Sequence, residues 1–126
     1  LGLVKFHAVQ RLFERHNTLV LGKFMDRELL GFKTQFTQTY GDNSGCYFAS
    51  VERGDGINKN SKLEGIHINN FFATSLVGPL LVMNPYFTEY IMEKLGIENP
   101  ECAFREDSLN AYNIRVKDFR TCKSLH

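Results

Sequence analysis

The sequence predicts a mixed α+β fold, strand-rich, with one firm helix at about residues 84–95. Three observations predict it. Short runs rich in aromatic and β-branched residues recur through the first three quarters of the chain, separated by Gly, Asn and Asp turn signals. The stretch NPYFTEYIMEKLG carries Asn84 as a helix cap, Pro85 at the first helical position and Gly96 as a left-handed stop. Within it, Phe87, Tyr90, Ile91 and Leu95 recur at helical spacing and form one apolar stripe.

Taken in order, Leu3–Phe6 reads as a short buried strand and residues 7–16 as a loop or helical turn. Thr18–Phe24 reads as a strand, Asp26-Arg27 as a hairpin turn, and Glu28–Thr39 as one second strand. The run Gly41-Asp42-Asn43-Ser44-Gly45 is a strong turn signal, and Cys46–Arg53 follows as a third strand. Residues 54–63 are a polar, Gly-rich loop. Gly65–Ser75, apolar on both faces near its end, reads as a fourth strand buried at the centre of a sheet. The segment after Pro100 is polar with scattered aromatics and yields no assignment. The organisation expected is a main unit over 1–96 and a tail over 97–126. One firm helix cannot cover both faces of a four-stranded sheet. The expected remedy is a homo-oligomer, a ligase- or synthetase-type partner, or a preceding half of the protein.

Composition bounds the function classes. The chain has 126 residues, 43% hydrophobic, with 11 Phe, enough to build a core and too apolar for disorder. Lys and Arg number 15 against 14 Asp and Glu, so no basic surplus points to nucleic acid. No apolar run approaches the ~20 residues of a membrane span. No signal-peptide pattern is present, and Leu1-Gly2-Leu3 without an initiating Met reads as the middle of a protein. The three Cys (46, 102 and 122) form no close pair, which suggests a reduced, cytoplasmic setting.

Chemistry-bearing motifs are few. His7, His16, His67 and His126 form no metal-ligand spacing, so no metal and no cofactor are expected. Gly54-x-Gly56 leads into a polar run rather than a helix and reads as a turn. Cys46, opening a strand with no base beside it in sequence, reads as a structural thiol rather than a nucleophile. His67 reads as a structural or surface histidine, with Glu64 and Asp55 as residues that could orient it. Arg15-His16-Asn17 reads as a polar loop.

The stretch GIHINNFFATSLVGPLLVMNP then carries a resemblance. It resembles the closing segment of CobB/CobQ-like class I glutamine amidotransferase domains, such as the glutaminase half of cobyric acid synthase and the small subunit of lipid II isoglutaminyl synthase. Glu64, Gly65, Asn70, Thr74, Leu76, Gly78, Pro79, Leu80, Asn84 and Pro85 fit that family's pattern, and Gly31-Phe32 resembles its Gly-Phe strand. The resemblance implies the C-terminal portion of a flavodoxin-like α/β domain, and a reaction in which glutamine is hydrolysed to supply ammonia to a synthetase partner. It places the nucleophilic Cys before Leu1 and the proton-moving His at Val77. Lys33-Thr34-Gln35 departs from the family's Glu-Asn-His. The turn is therefore expected to be a catalytic mount without its catalyst, and this chain inactive in glutamine hydrolysis, either as an amidotransferase component or as a scaffold that docks a partner. His67, ten residues back on a strand expected to be extended, would lie too far away to substitute.

Overall fold

A computed structural model describes residues 2–123. Eight strands precede three helices: β1 His7–Gln10, β2 His16–Phe24, β3 Arg27–Gln35, β4 Thr37–Tyr40, β5 Ala49–Arg53, β6 Leu63–Glu64, β7 Ile66–Ile68, β8 Phe71–Ala73, α1 Leu80–Met83, α2 Pro85–Lys94 and α3 Arg105–Thr121. The centre is a four-stranded sheet ordered β3-β2-β5-β6, flanked by a β1-β4 pair and a β7-β8 hairpin. Every pairing among the described strands is antiparallel.

The β2–β3 hairpin is the longest ladder, running from Phe24↔Arg27 to His16↔Gln35. It turns on Met25-Asp26, with Met25 at φ 55°. Alternation divides its side chains between two cores. Val20, Phe24 and Leu29 join Phe48, Val51, Leu76 and Phe87 on one face. Leu21 and Leu30 join Met83, Tyr112 and Val116 on the other.

Helix α2 covers the first face. Its Phe87 and Tyr90 rings meet Phe24 edge-on, with centroids 5.0 and 5.1 Å apart. The buried Phe87 ring contributes ~1.5–3 kcal/mol through lost water contact alone, and the half-buried Tyr90 ring less. The helix ends as its sequence predicts. The Ile97 N–H reaches Met92 O at 3.1 Å and the Gly96 N–H reaches Glu93 O at 2.9 Å. Gly96 sits at φ +88°, which a Cβ would strain. Leu95 does not join the apolar stripe; it is the C-cap and is 76% exposed.

Helix α3 covers the second face, and with it the expected uncovered face disappears. Tyr112, Val116 and Phe119, at i, i+4 and i+7, turn inward. The Tyr112 hydroxyl donates to Glu28 O at 2.9 Å. Arg53 reaches across from β5 to the end of α3, donating to Phe119 O at 2.7 Å, to Cys122 O at 2.8 Å and to Arg120 O. The last carbonyls of a helix lack intrahelical N–H partners, and a cation there also interacts favourably with the negative end of the helix dipole.

Several expected boundaries shift. Leu3–Phe6 is not a strand; the strand lies at His7–Gln10, where the sequence suggests loop. Glu28–Thr39 is two strands, broken at Phe36, so its second half pairs with β1 rather than β2. Cys46 lies in the turn, and the strand begins three residues later at Ala49. Gly65–Ser75 is not one buried strand but a hairpin turning on Asn69-Asn70, with Asn69 at φ 53°. Two consecutive asparagines provide that turn, and an Asn tolerates the left-handed conformation.

Asn84 precedes α2 but makes no side-chain cap. Its amide instead clamps β3, accepting from Leu30 N at 2.7 Å and donating to Leu30 O at 2.8 Å and Leu80 O at 2.7 Å. Asn84→Ala therefore leaves a buried N–H and C=O of a central hairpin without partners, each costing ~1–3 kcal/mol. We expect it to destabilise the fold by ~2–4 kcal/mol in urea unfolding, well beyond the ~1 kcal/mol of a lost helix cap. A loss of ~1 kcal/mol or less would show that Asn84 acts only as a cap.

Candidate functional site

The turn that the sequence singles out is built on one buried carboxylate. Glu64, on the short edge strand β6, and Lys33, on β3, are both fully buried and meet at 2.5 Å. The Lys33 ammonium also donates to Gly56 O in the loop before β6. On its other oxygen, Glu64 accepts three hydrogen bonds from the segment leading into the turn: Thr74 Oγ1 at 2.8 Å, Ser75 N at 2.8 Å and Ser75 Oγ at 3.0 Å. The ion pair thus joins β3, β6, the loop before β6 and residues 74–75, the loop through Lys33 and residues 74–75 through Glu64. A charge taken out of water is tolerable only with this degree of pairing.

The next residues are fixed by backbone and packing. Thr74 Oγ1 accepts from Leu76 N at 3.1 Å, and Leu76 is buried against Gly31, where a Cβ would stand 2.8 Å from its methyls. The Val77 N–H donates to Phe32 O at 2.7 Å, forming an isolated bridge to β3. The Val77 side chain is exposed, directly before Gly78 at φ +81° and the exposed Pro79. The turn is therefore tied to β3 on its approach, and it presents an isopropyl group to solvent. Ser75, not Val77, lines the small cleft of about 230 Å³ beside Glu64, Gly65 and Ala73.

The other pattern residues have structural occupations. Gly65 stands at φ +60° with its Cβ position 2.3 Å from Ala73 O, so the base of the β7–β8 hairpin closes only on glycine. Asn70 is exposed in the hairpin turn. Thr74 is a ligand of Glu64, Asn84 clamps β3, and Pro85 is buried at the first position of α2.

Sequence reasoning reads Lys33 only as a departure from the family pattern and misses its pairing with Glu64. The signal available is a lysine at an inward position of a strand whose neighbours are Leu29, Leu30 and Gly31. Glu64 and Asp55 do not orient His67. Glu64 is committed as described, and Asp55 Oδ2 lies 3.2 Å from His16 Nε2. His16 is buried at the start of β2, not in a loop. The His67 ring instead stacks on Phe72 at 4.4 Å, with Nε2 3.0 Å from Asn69 O. The hairpin also removes the extended-strand basis for its separation from Val77. His126 and Leu1 lie outside the described residues.

No cysteine sits at the turn. Cys46 is half-buried, and its N–H donates to Asn43 O at 3.0 Å. Cys102 lies beside α2, with its thiol 3.6 Å from Pro85 O. Burial, and then the neighbouring Glu89 carboxylate, push the Cys102 thiol up. Among the described residues no group of three or more His, Cys, Asp or Glu could hold a metal ion. None of the described helices is long and apolar enough to cross a membrane.

No protein-family model matches the chain. The chain is 31% identical over 94 residues to subunit GatD of lipid II isoglutaminyl synthase (glutamine-hydrolyzing) from Staphylococcus aureus (strain N315), over 75% of this chain and 38% of that protein. The chain thus spans well under half the length of that curated relative. The match makes it a distant relative of a glutamine amidotransferase subunit.

Two outcomes follow from this geometry. Glu64→Gln strands a buried ammonium and should cost ~3–5 kcal/mol in equilibrium unfolding, and adding Lys33→Met should recover part of that loss. A single variant within ~1 kcal/mol of the parent would show the pair to be dispensable. Cys102, its thiolate disfavoured at neutral pH, should react more slowly with iodoacetamide than an unperturbed thiol and gain rate only at higher pH. Peptide mass spectrometry of a pH series checks this, and alkylation of Cys102 as fast as that of a free thiol reference at pH 7 would contradict it.

Proposed function

We propose that this chain is the C-terminal portion of a CobB/CobQ-like, flavodoxin-like glutamine amidotransferase domain, serving an amidation such as that of a cell-wall precursor or a cobyrinate-type acceptor. In this reading it contributes structure rather than glutamine hydrolysis. The observation that carries the proposal is the Val77 turn. Its backbone is anchored to Phe32 O at 2.7 Å and its approach is held by Glu64, yet the side chain it displays can neither take nor give a proton. Loss of a positioned acid–base group lowers a rate by ~10²–10⁴.

Such a portion would act by holding its fold against a ligase- or synthetase-type partner. The relative's name, a subunit of a synthase, supports that reading. Rigid elements under the turn suit it as well, because the cross-linked segment 74–77 presents a fixed surface instead of a mobile loop.

An assay of ammonia release from glutamine tests the proposal. The chain should release none above buffer. Val77→His should not restore release, because a base without a thiolate to activate has no reaction to assist. Turnover that copurifies with the chain and is abolished by Cys46→Ser would overturn the reading and make Cys46 the nucleophile.

A further inference from the structure

Beside the start of β2 lies a cleft of about 540 Å³, lined by Arg15, His16, Asn17, Asp55 and Lys59. Every one of these side chains is polar or charged, unlike the mainly apolar lining of most small-molecule pockets. The carboxylate among them is already engaged, with Asp55 Oδ2 3.2 Å from Nε2 of the buried His16. Arg15 and Lys59 are exposed, and neither makes an ion pair among the described residues. The cleft therefore sets two cationic heads and a histidine against one carboxylate, and the histidine takes that carboxylate.

Both cations are tied to the fold. Arg15 donates from Nε and Nη2 to Thr34 Oγ1 at 3.0 and 2.7 Å, and the Thr34 hydroxyl donates in turn to Asn17 Oδ1 at 2.8 Å. The guanidinium also lies over the Phe36 ring, 5.9 Å from its centroid. These bonds occupy two of the five N–H groups of an arginine and leave the rest for a ligand. Lys59 sits in a loop fastened to β4: Thr39 N donates to Ile57 O at 3.0 Å, Asn58 Nδ2 to Thr39 O at 2.8 Å and Lys59 N to Gln38 Oε1 at 3.3 Å. Like charges lining one cleft focus its field on an anion, and an arginine held beforehand loses little freedom when the anion arrives.

We infer that this cleft binds the phosphate monoester of a small polar molecule, with Arg15 and Lys59 holding the phosphoryl oxygens. A carboxylate offers two oxygens and one negative charge. A phosphate monoester offers three oxygens and nearly two charges, which match an arginine fork together with a lysine ammonium. The volume lies within the range of small-molecule sites and exceeds the need of a bare ion. Its polar lining suits a hydroxyl-bearing remainder rather than a hydrocarbon one. The cleft shares no lining residue with the Val77 turn, so the inference stands apart from the reading of glutamine chemistry.

Isothermal titration calorimetry of the intact chain near neutral pH and at constant ionic strength tests this, with inorganic phosphate, glycerol phosphate and acetate as probes. Inorganic phosphate should bind, glycerol phosphate at least as tightly, and acetate about tenfold more weakly or less. Arg15→Gln and Lys59→Gln, both at exposed positions, should each weaken phosphate binding by about tenfold. Lys94→Gln, on α2 and outside the cleft, should leave it unchanged. Circular dichroism matching that of the parent shows that the variants are folded, and the two cleft variants check each other. Absence of phosphate binding, acetate bound as tightly as phosphate, or exclusion of glycerol phosphate would overturn the inference. So would phosphate binding that neither Arg15→Gln nor Lys59→Gln weakens, or that Lys94→Gln weakens as much.

Discussion

The contact between Lys33 and Glu64 is the constraint on which most of the architecture depends. A lysine at an inward position of β3 would be untenable in an apolar core by itself. Glu64 makes it tenable, and in doing so fixes where β6 must lie. The remaining capacity of the carboxylate is spent on Thr74 and Ser75, so the path of the chain into the turn follows from the same pair. Replacing both residues with hydrocarbon would relieve the buried charge but strip Ser75 N of its acceptor. The pair is thus a junction of three chain segments, which a hydrophobic substitute of the same volume could not reproduce.

The outer edge of β3 shows the same economy. A hairpin strand at a sheet edge exposes alternate N–H and C=O groups, an invitation to add another strand. Here Glu28 O takes the Tyr112 hydroxyl, Leu30 takes both halves of the Asn84 amide, and Phe32 O takes the Val77 N–H. Three different elements meet on one strand edge, which closes the sheet there and ties α3, the start of α2 and the turn to one reference line. The second face of the sheet is covered by α3 through Tyr112 and Val116. The expected need for an outside partner on that face therefore lapses.

What was legible in the sequence was what local chemistry dictates. Pro85 and Gly96 bound α2 because one pre-sets a helical φ and the other adopts a left-handed one. The strands of the β2–β3 hairpin show in their aromatic and β-branched content. What was not legible depends on contacts distant in sequence. Helix α3 turns only Tyr112, Val116 and Phe119 inward across 17 residues, too thin a stripe to stand out among its charged neighbours. Gly65–Ser75 reads as one strand by its apolar content, and only the paired Asn69-Asn70 hint that it doubles back. The role of Glu64 could not be read at all, since its partner lies 31 residues earlier.

This bears on what the resemblance can say about chemistry. Glu64, Gly65, Thr74, Asn84 and Pro85 carry the sequence resemblance, and each has a structural occupation here: a buried ion pair, a hairpin base, a hydroxyl relay, an edge clamp and a helix start. A chain that needed only this fold would have the same reasons to carry these residues. Matches at such positions therefore report architecture, and function has to be argued from the side chains that the architecture displays. At the turn the displayed side chain is Val77, which has no proton to exchange. The backbone under it is held by the bonds that also close the outer edge of β3 and tie residues 74–75 to Glu64.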